Sequence, residues 1–305
     1  MEFFKQNTKI DFMGARNWTT LFSAIMLIGS ILSVIIHGIN WGLDFTGGMQ
    51  LEVTYQKTAD LPQIRQQLTD AHFKEAVVQS YGSSESVLIS IGPQKDLNAQ
   101  QLRDKMLSAL PGAKLQRIEY VGPQVGEELA TKGAVALIIS MIGILIYIAL
   151  RFEYRFGISA ILALVHDPLL ILGIFAFFDL EFNLPALAAL LTVVGYSLND
   201  TIVVFDRVRE NFRKIRKSSP VEIMNLSINQ TLSRTIMTSG LTLLVVIALL
   251  VYGGELLHSF SIALIIGILV GTYSSIYVAG TLAVAMGLNR ADFLPKAPKA
   301  TDDMP

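Results

Sequence analysis

Charge stands in this sequence where charge is expensive. The stretch VVGYSLNDTIVVFDR, Val193 to Arg207, lies in a run apolar enough to cross a membrane, yet it holds Asn199, Asp200 and Asp206. On insertion scales a carboxylate near the bilayer centre costs about 2.5–3.5 kcal/mol. On a helix turning about 100° per residue, Asp206, Asn199, Thr192, Tyr196 and Asp200 share a sector of roughly 120°, with Val203 as an apolar intruder. Leu191, Val194, Leu198, Ile202 and Phe205 take the opposite, lipid-like side. Asp206 lies near the end of the run with Arg207 and Arg209 after it, and reads equally well as an interfacial carboxylate. Asp200 is roughly 9 Å deeper. At such depth polar groups normally face a bundle interior or a wet pathway. A packing hydrogen bond to Asn199 or to a neighbouring helix is one reading of it; a group kept there to change its charge is the other, and the one favoured here.

Two neighbours support the second reading. LVHDPLL places His166 and Asp167 near the middle of another apolar run, and Pro168 frees a backbone carbonyl one turn earlier. Across the short connection between the runs, Asp167 and Asp200 differ in depth by about one helical turn. The next run opens SRTIMTSG, where Arg234 is able to snorkel inward and Thr235, Thr238 and Ser239 extend a polar track. An acid, a counter-cation and hydroxyl steps make a proton relay. Burial favours the neutral acid and an approaching guanidinium favours the carboxylate. A helix movement that changes either therefore changes proton affinity, and proton uptake biases the movement in return. One charge moved through 100 mV is worth about 2.3 kcal/mol.

The elements that must position these groups are membrane spans. Of 305 residues, 52% are hydrophobic and only 16% charged, below the roughly 25% of soluble domains. The net charge of −1 conceals an uneven placement. Apolar runs predict an α-helical polytopic membrane protein with spans at 18–39, 133–150, 157–178, 185–206, 235–253 and 259–286. Basic residues gather before the first span (Lys5, Lys9, Arg16), between the second and third (Arg151, Arg155), between the fourth and fifth (Arg207 to Lys217, and Arg234), and after the last (Arg290, Lys296, Lys299). The connections DLEFN and GGELLH have none, so both termini are expected on the cytoplasmic side. The expected divisions are a tail at 1–17, the first span, an outer (periplasmic) domain at 40–130, spans over 131–286 with a basic loop at 207–234, and a tail at 287–305. The first run is too long for a signal-peptide core and no A-x-A-type site follows it, so it is expected to stay attached. With no cysteine, disulfides, thiol catalysis and thiolate metal sites are excluded.

Between the first two spans, MQLEVTY alternates as a strand and DLPQIRQQLTDAHF reads as a helix with Asp60 as N-cap and Pro62 in its first turn. EAVVQSYG and SVLISIG follow as strands, DLNAQQLRDKMLSAL as a helix, and KLQRIEYVG as the last strand. The order β-α-β-β-α-β is that of a ferredoxin-like α+β domain. His72 stands alone and reads as a surface or helix-end residue, and no metal cluster is found. GLDFTGG, with Gly42, Asp44, Gly47 and Gly48, joins the domain to the first span. It reads either as a Gly-permitted turn with Asp44 capping backbone N–H groups or as a hinge.

Other functions fit less well. An intramembrane aspartyl protease would use two carboxylates sharing a proton, but Asp200 sits in SLND and Asp167 in VHDP, outside any GxGD context. No G-x-x-x-x-G-K-[ST] phosphate loop occurs. The basic segment RVRENFRKIRK reads as an orientation signal and an anionic-lipid contact rather than a nucleic-acid site. A purely structural membrane subunit remains, and it predicts that Asp200→Asn is tolerated.

GLDFTGG, VGPQVGEEL before the second span, VHDP in the third and GYSLNDTIVVFDRVRENFRK in the fourth together resemble the SecD/SecF family of the resistance–nodulation–division superfamily, over nearly the whole chain. The resemblance implies a non-enzymatic subunit without cofactors that uses the proton-motive force to help secreted preproteins emerge. It implies SecD, the SecYEG translocon, YajC and the insertase YidC as partners, a bacterial inner-membrane location, and movement of the outer domain against the substrate. By motif position Asp200 would be the proton-responsive acid and Arg234 its basic partner, with a less defined role for Asp206. Superfamily transporters use two six-span halves and this chain has one, so it needs a second, from SecD or from a second copy. Small-molecule efflux is the nearest competing function; the small outer domain and single half argue against it.

Overall fold

The computed structural model describes residues 8–74, 76–94 and 97–293, without the side chains of Glu255, Arg290 and Ala291. Lys5, Lys296 and Lys299, with Glu75 and Asp96 of the expected domain elements, lie outside the described residues. The chain forms two compact units. One comprises Met1–Ile39, Ile139–Leu180 and Pro185–Pro305, and the other Asn40–Ile138 with Glu181–Leu184.

Six helical stretches among the described residues are long and apolar enough to cross a membrane. They are Met13–His37 (with α1 at Arg16–His37), Pro123–Arg151, Tyr154–Phe177, Leu184–Lys214, Pro220–Tyr252 and His258–Ala285. Side chains on α1 sort as a lipid solvent demands. Ser23, Ser30 and Ser33 are buried inside the chain, while Trp18, Phe22, Ile25, Ile28 and Ile35 point outward. Small residues let helix backbones approach where apolar surface gives no advantage over lipid.

The second unit is an antiparallel sheet with two helices. It begins with the single turn α2 (Leu43–Thr46), then β1 (Gly48–Thr54), α3 (Leu61–Asp70), β2 (Val77–Tyr81), β3 (Ser83–Ile91), α4 (Ala99–Ser108) and β4 (Lys114–Val121). The sheet order is β2-β3-β1-β4, each neighbour antiparallel. Alternation in β1 puts Met49, Leu51 and Val53 inside, against Leu68 of α3 and Leu102 and Met106 of α4. The Asp60 carboxylate accepts from Gln63 N–H at 3.1 Å, and Asn98 caps α4 in a reciprocal box with Gln101. His72 is exposed at the end of α3 with φ of 72°.

The remaining helices are α5 (Pro123–Arg151), α6 (Tyr154–Phe177), α7 (Leu184–Lys214), α8 (Pro220–Tyr252), α9 (His258–Tyr273) and α10 (Ala279–Ala285), the last two joined by a π-helical turn at Ser274–Val278. The region 207–234, expected as a basic loop, is helical except for residues 215–219. Apolar content ends where lipid ends, but helix does not. Ser219 and Glu222 form a capping box and Pro220 occupies the first turn, so α8 starts well before its apolar part. Phe156 and Phe205 stack at 4.4 Å in the core of this unit, and Phe212 and Phe293 at 5.1 Å.

Candidate functional site

Asp200 is buried, 3% exposed, and its Oδ2 has no hydrogen-bond partner. Its neighbours correct the expectation for α7. Val194, Leu198 and Phe205, expected to face lipid, pack inside the chain. Thr192 and Asn199, expected to face the interior, are exposed on its surface, and Tyr196 is half-buried. The physical reason is that this bundle is held by apolar side chains on α7, leaving its polar stripe turned outward with Asp200 at the border between the two sides. Among the described residues Asn199 and Asp200 share no hydrogen bond.

Beside this border lies a buried polar knot. Asp167, 0% exposed, accepts from three groups on three elements. His166 Nδ1–H donates to Oδ1 at 2.9 Å, Ser197 of α7 donates to Oδ2 at 2.5 Å, and Ser274 of the π turn donates to Oδ2 at 2.8 Å. Ser275 Oγ–H donates to the Ser197 carbonyl at 3.1 Å, and its hydroxyl meets that of Thr201 at 2.9 Å. Such a set satisfies a carboxylate that burial alone would make costly. His166 Nε2 is buried without a partner. Asp167 thus binds α6, α7 and the π turn together, and no hydrogen bond links it to Asp200 among the described residues. The sequence reading passed over Ser197, Ser274 and Ser275. The doublet in GTYSSIY, polar in an apolar run, was the available signal.

Arg234 is exposed, and among the described residues it forms no ion pair with Asp200, contrary to a preformed acid–cation contact. The expected hydroxyl track is partial. Thr235 is buried. Thr238 is exposed and donates its hydroxyl to the Arg234 and Thr235 carbonyls, both at 3.0 Å. Ser239 meets Thr272 at 2.9 Å and accepts from Tyr196 Oη–H at 3.3 Å. Asp206 pairs with Arg151 of α5 at 2.6 Å. Arg207 and Arg209, its sequence neighbours, bond Glu210 and Glu153 instead. Asp206 is therefore a half-exposed, ion-paired carboxylate at this end of α7.

In the second unit, Gly42 precedes α2 in extended backbone, and Gly47 and Gly48 follow it at φ of 66° and 124°. A Cβ on Gly48 would collide with the Ile91 carbonyl, so no other residue fits this turn. Asp44 Oδ2 accepts from Leu184 N–H at 2.8 Å, capping the first residue of α7 rather than its own turn. No group of three or more His, Asp or Glu among the described residues is placed to hold a metal ion.

Comparisons with known proteins agree with this arrangement. A model of the SecD/SecF protein export membrane protein C-terminal family matches residues 102–289, and one of the SecD/SecF GG motif matches residues 32–59. The SecF subunit of Vibrio alginolyticus is 46% identical over 99% of this chain and 98% of its own length. That of Pseudomonas aeruginosa is 48% identical over 97% and 98%. Among solved structures, the crystal structure of SecDF, a translocon-associated membrane protein from Thermus thermophilus, is 38% identical with a TM-score of 0.84 over 93% of this chain. This chain spans 39% of that longer protein. Sequence and fold agree over almost the full length: the chain belongs to the SecF family of protein export membrane proteins.

Proposed function

We propose that this chain is the proton-responsive half of an auxiliary export complex, with Asp200 as the titrating acid and Arg234 as the cation that approaches it during the working cycle. The observation carrying this is Asp200 itself, a buried carboxylate with a free oxygen at the edge of a polar helix face that the chain leaves uncovered. A carboxylate kept for packing has its oxygens bonded, as Asp167 does. One left open beside a movable cation is placed to exchange a proton. As a member of its family with six apolar helices, the chain is a multi-pass bacterial inner-membrane protein. The proposal adds cytoplasmic termini and a periplasmic location for residues 40–130. It adds a SecD-type second half against the outward polar stripe, SecYEG, YajC and YidC as further partners, and secreted preproteins as the substrate. The role is that of a transport accessory rather than an enzyme.

The test is precursor export in membrane vesicles carrying the partner subunits, with and without a proton-motive force, for wild type and Asp200→Asn at matched abundance. Asn keeps size and hydrogen bonding but cannot titrate. Loss of the gradient-dependent component, with ATP-driven export retained, is the expected result. Undiminished gradient-dependent export would reduce Asp200 to packing and the chain to a scaffold.

A further inference from the structure

The connection between α6 and α7 is closed onto the glycine-rich turn at residues 41–48. Gly42 N–H donates to the Phe182 carbonyl at 2.9 Å and Phe182 N–H to the Asn40 carbonyl at 2.8 Å, forming a parallel bridge between Trp41 and Phe182. Trp41 packs edge-on against Phe45 and Phe182, each at 5.7 Å. Asp44 completes the closure by capping Leu184. Every one of these contacts lies within the second unit, whose residues 181–184 run directly into α7.

Glu181 is folded into this closure. Its carboxylate accepts from the Gln50 side chain of β1 and from Leu43 N–H of α2, and the charges facing it are both acidic, Asp44 of α2 and Glu119 of β4. Glu119 is ion-paired to Arg117 on its own strand. Gly42 makes room for it: a Cβ there would stand 2.8 Å from Glu181 Oε1 and from Asn183 Cβ. An acid has been brought against another acid, inside contacts that hold the start of the helix bearing Asp200.

We infer that Glu181 is a proton-operated catch, which keeps the connection closed on the 41–48 turn when neutral and opens it when ionised by repulsion from Asp44. Burial, with the charges of Asp44 and Glu119 adding to it, raises the Glu181 carboxyl above its ordinary value of 4.5, against the opposing hydrogen bonds from Gln50 and Leu43. The closed state then binds the proton more tightly than the open one. Closure is fully stabilised below the ordinary glutamate value, and that stabilisation is lost as pH rises through the raised one. On the topology proposed above, the acidified side of the membrane is the side that closes the catch. That last step rests on the proposed topology; the catch itself does not.

Trp41 reports the state directly, and Trp18 is the one other tryptophan. The full chain carrying Trp18→Phe is placed in nanodiscs, without partners or gradient, and Trp41 emission is followed from about pH 4 to about pH 8. A red shift with rising pH, its midpoint above the ordinary glutamate range, is expected, and Glu181→Gln should hold the low-pH spectrum throughout. Asp44→Asn keeps a capping oxygen and removes the repelling charge, so its red shift should be smaller and displaced to higher pH. A flat wild-type signal, or the same step in Glu181→Gln, overturns the inference. Because no export is measured, failure here leaves the role of Asp200 standing, and failure of Asp200→Asn in vesicles leaves the catch standing.

Discussion

Two aspartates, one on α6 and one on α7, have opposite surroundings, and the difference predicts opposite phenotypes. Asp167 accepts hydrogen bonds from His166, Ser197 and Ser274, whereas an oxygen of buried Asp200 has none. Removing a satisfied buried acceptor strands its donors at about 1–3 kcal/mol each. Asp167→Ala should therefore destabilise the chain by roughly 3 kcal/mol or more, and Asp167→Asn, which retains one acceptor oxygen, by about half that. Asp200→Asn should leave stability nearly unchanged while export loses its gradient-dependent part. Thermal unfolding in nanodiscs, run beside the export assay, separates the two. If Asp200→Asn proved the more destabilising substitution, the assignment of roles would be reversed.

At the scale of elements, helices are held by small residues at close approaches. Gly173 of α6 lies so near Ser30 of α1 that a Cβ there would collide with it, and Gly267 of α9 stands likewise against Val193 of α7. Gly173→Leu should wedge α1 from α6 and lower stability by about 1–3 kcal/mol or more, read as reduced thermal stability and faster proteolysis at the α1 end. Gly143→Leu, whose Cβ would meet no neighbour, should be tolerated. A wild-type-like Gly173→Leu would refute the close packing of α1 and α6. These contacts also show what was legible in the sequence. Span number and the β-α-β-β-α-β order followed from hydropathy length and period, which depend only on local composition. The inward side of α7 did not follow, because within this chain α7 packs through its apolar side chains, unlike α1 with its buried serines. Leu198 and Phe205 went inside by shape, while Asn199 stayed out. Asp167 was visible as a buried acid, but its partner Ser274 comes from the π turn over a hundred residues later, a pairing no local pattern carries. The partner of Asp206 was missed for the same reason, since Arg151 is supplied by another helix.

For the whole molecule, the outward polar stripe is the feature that one chain leaves incomplete. Asn199 of α7 and Arg234 of α8 are exposed at or near a depth where lipid offers them no hydrogen bonds. A surface of this kind is stable in a bilayer only when another protein surface or a water-filled cleft covers it. The rest of the exposed helix surface, such as Ile28 of α1, Ile139 of α5 and Leu244 of α8, is apolar and suited to lipid. The second half of the complex should therefore sit on the Asn199 side, where its arrival also changes the surroundings of Asp200. Asn199→Trp adds bulk to this exposed position without touching the chain's own core. It should reduce co-purification with a SecD-type partner by roughly tenfold or more, equivalent to about 1.4 kcal/mol of association. Ile139→Trp, on a lipid-like surface, should leave it unchanged. Both variants should unfold at the wild-type temperature when isolated, so that lost assembly is not mistaken for lost folding. Equal recovery of partner by the two variants would place the second half elsewhere, and leave the polar stripe lining a water path within this chain's own surface.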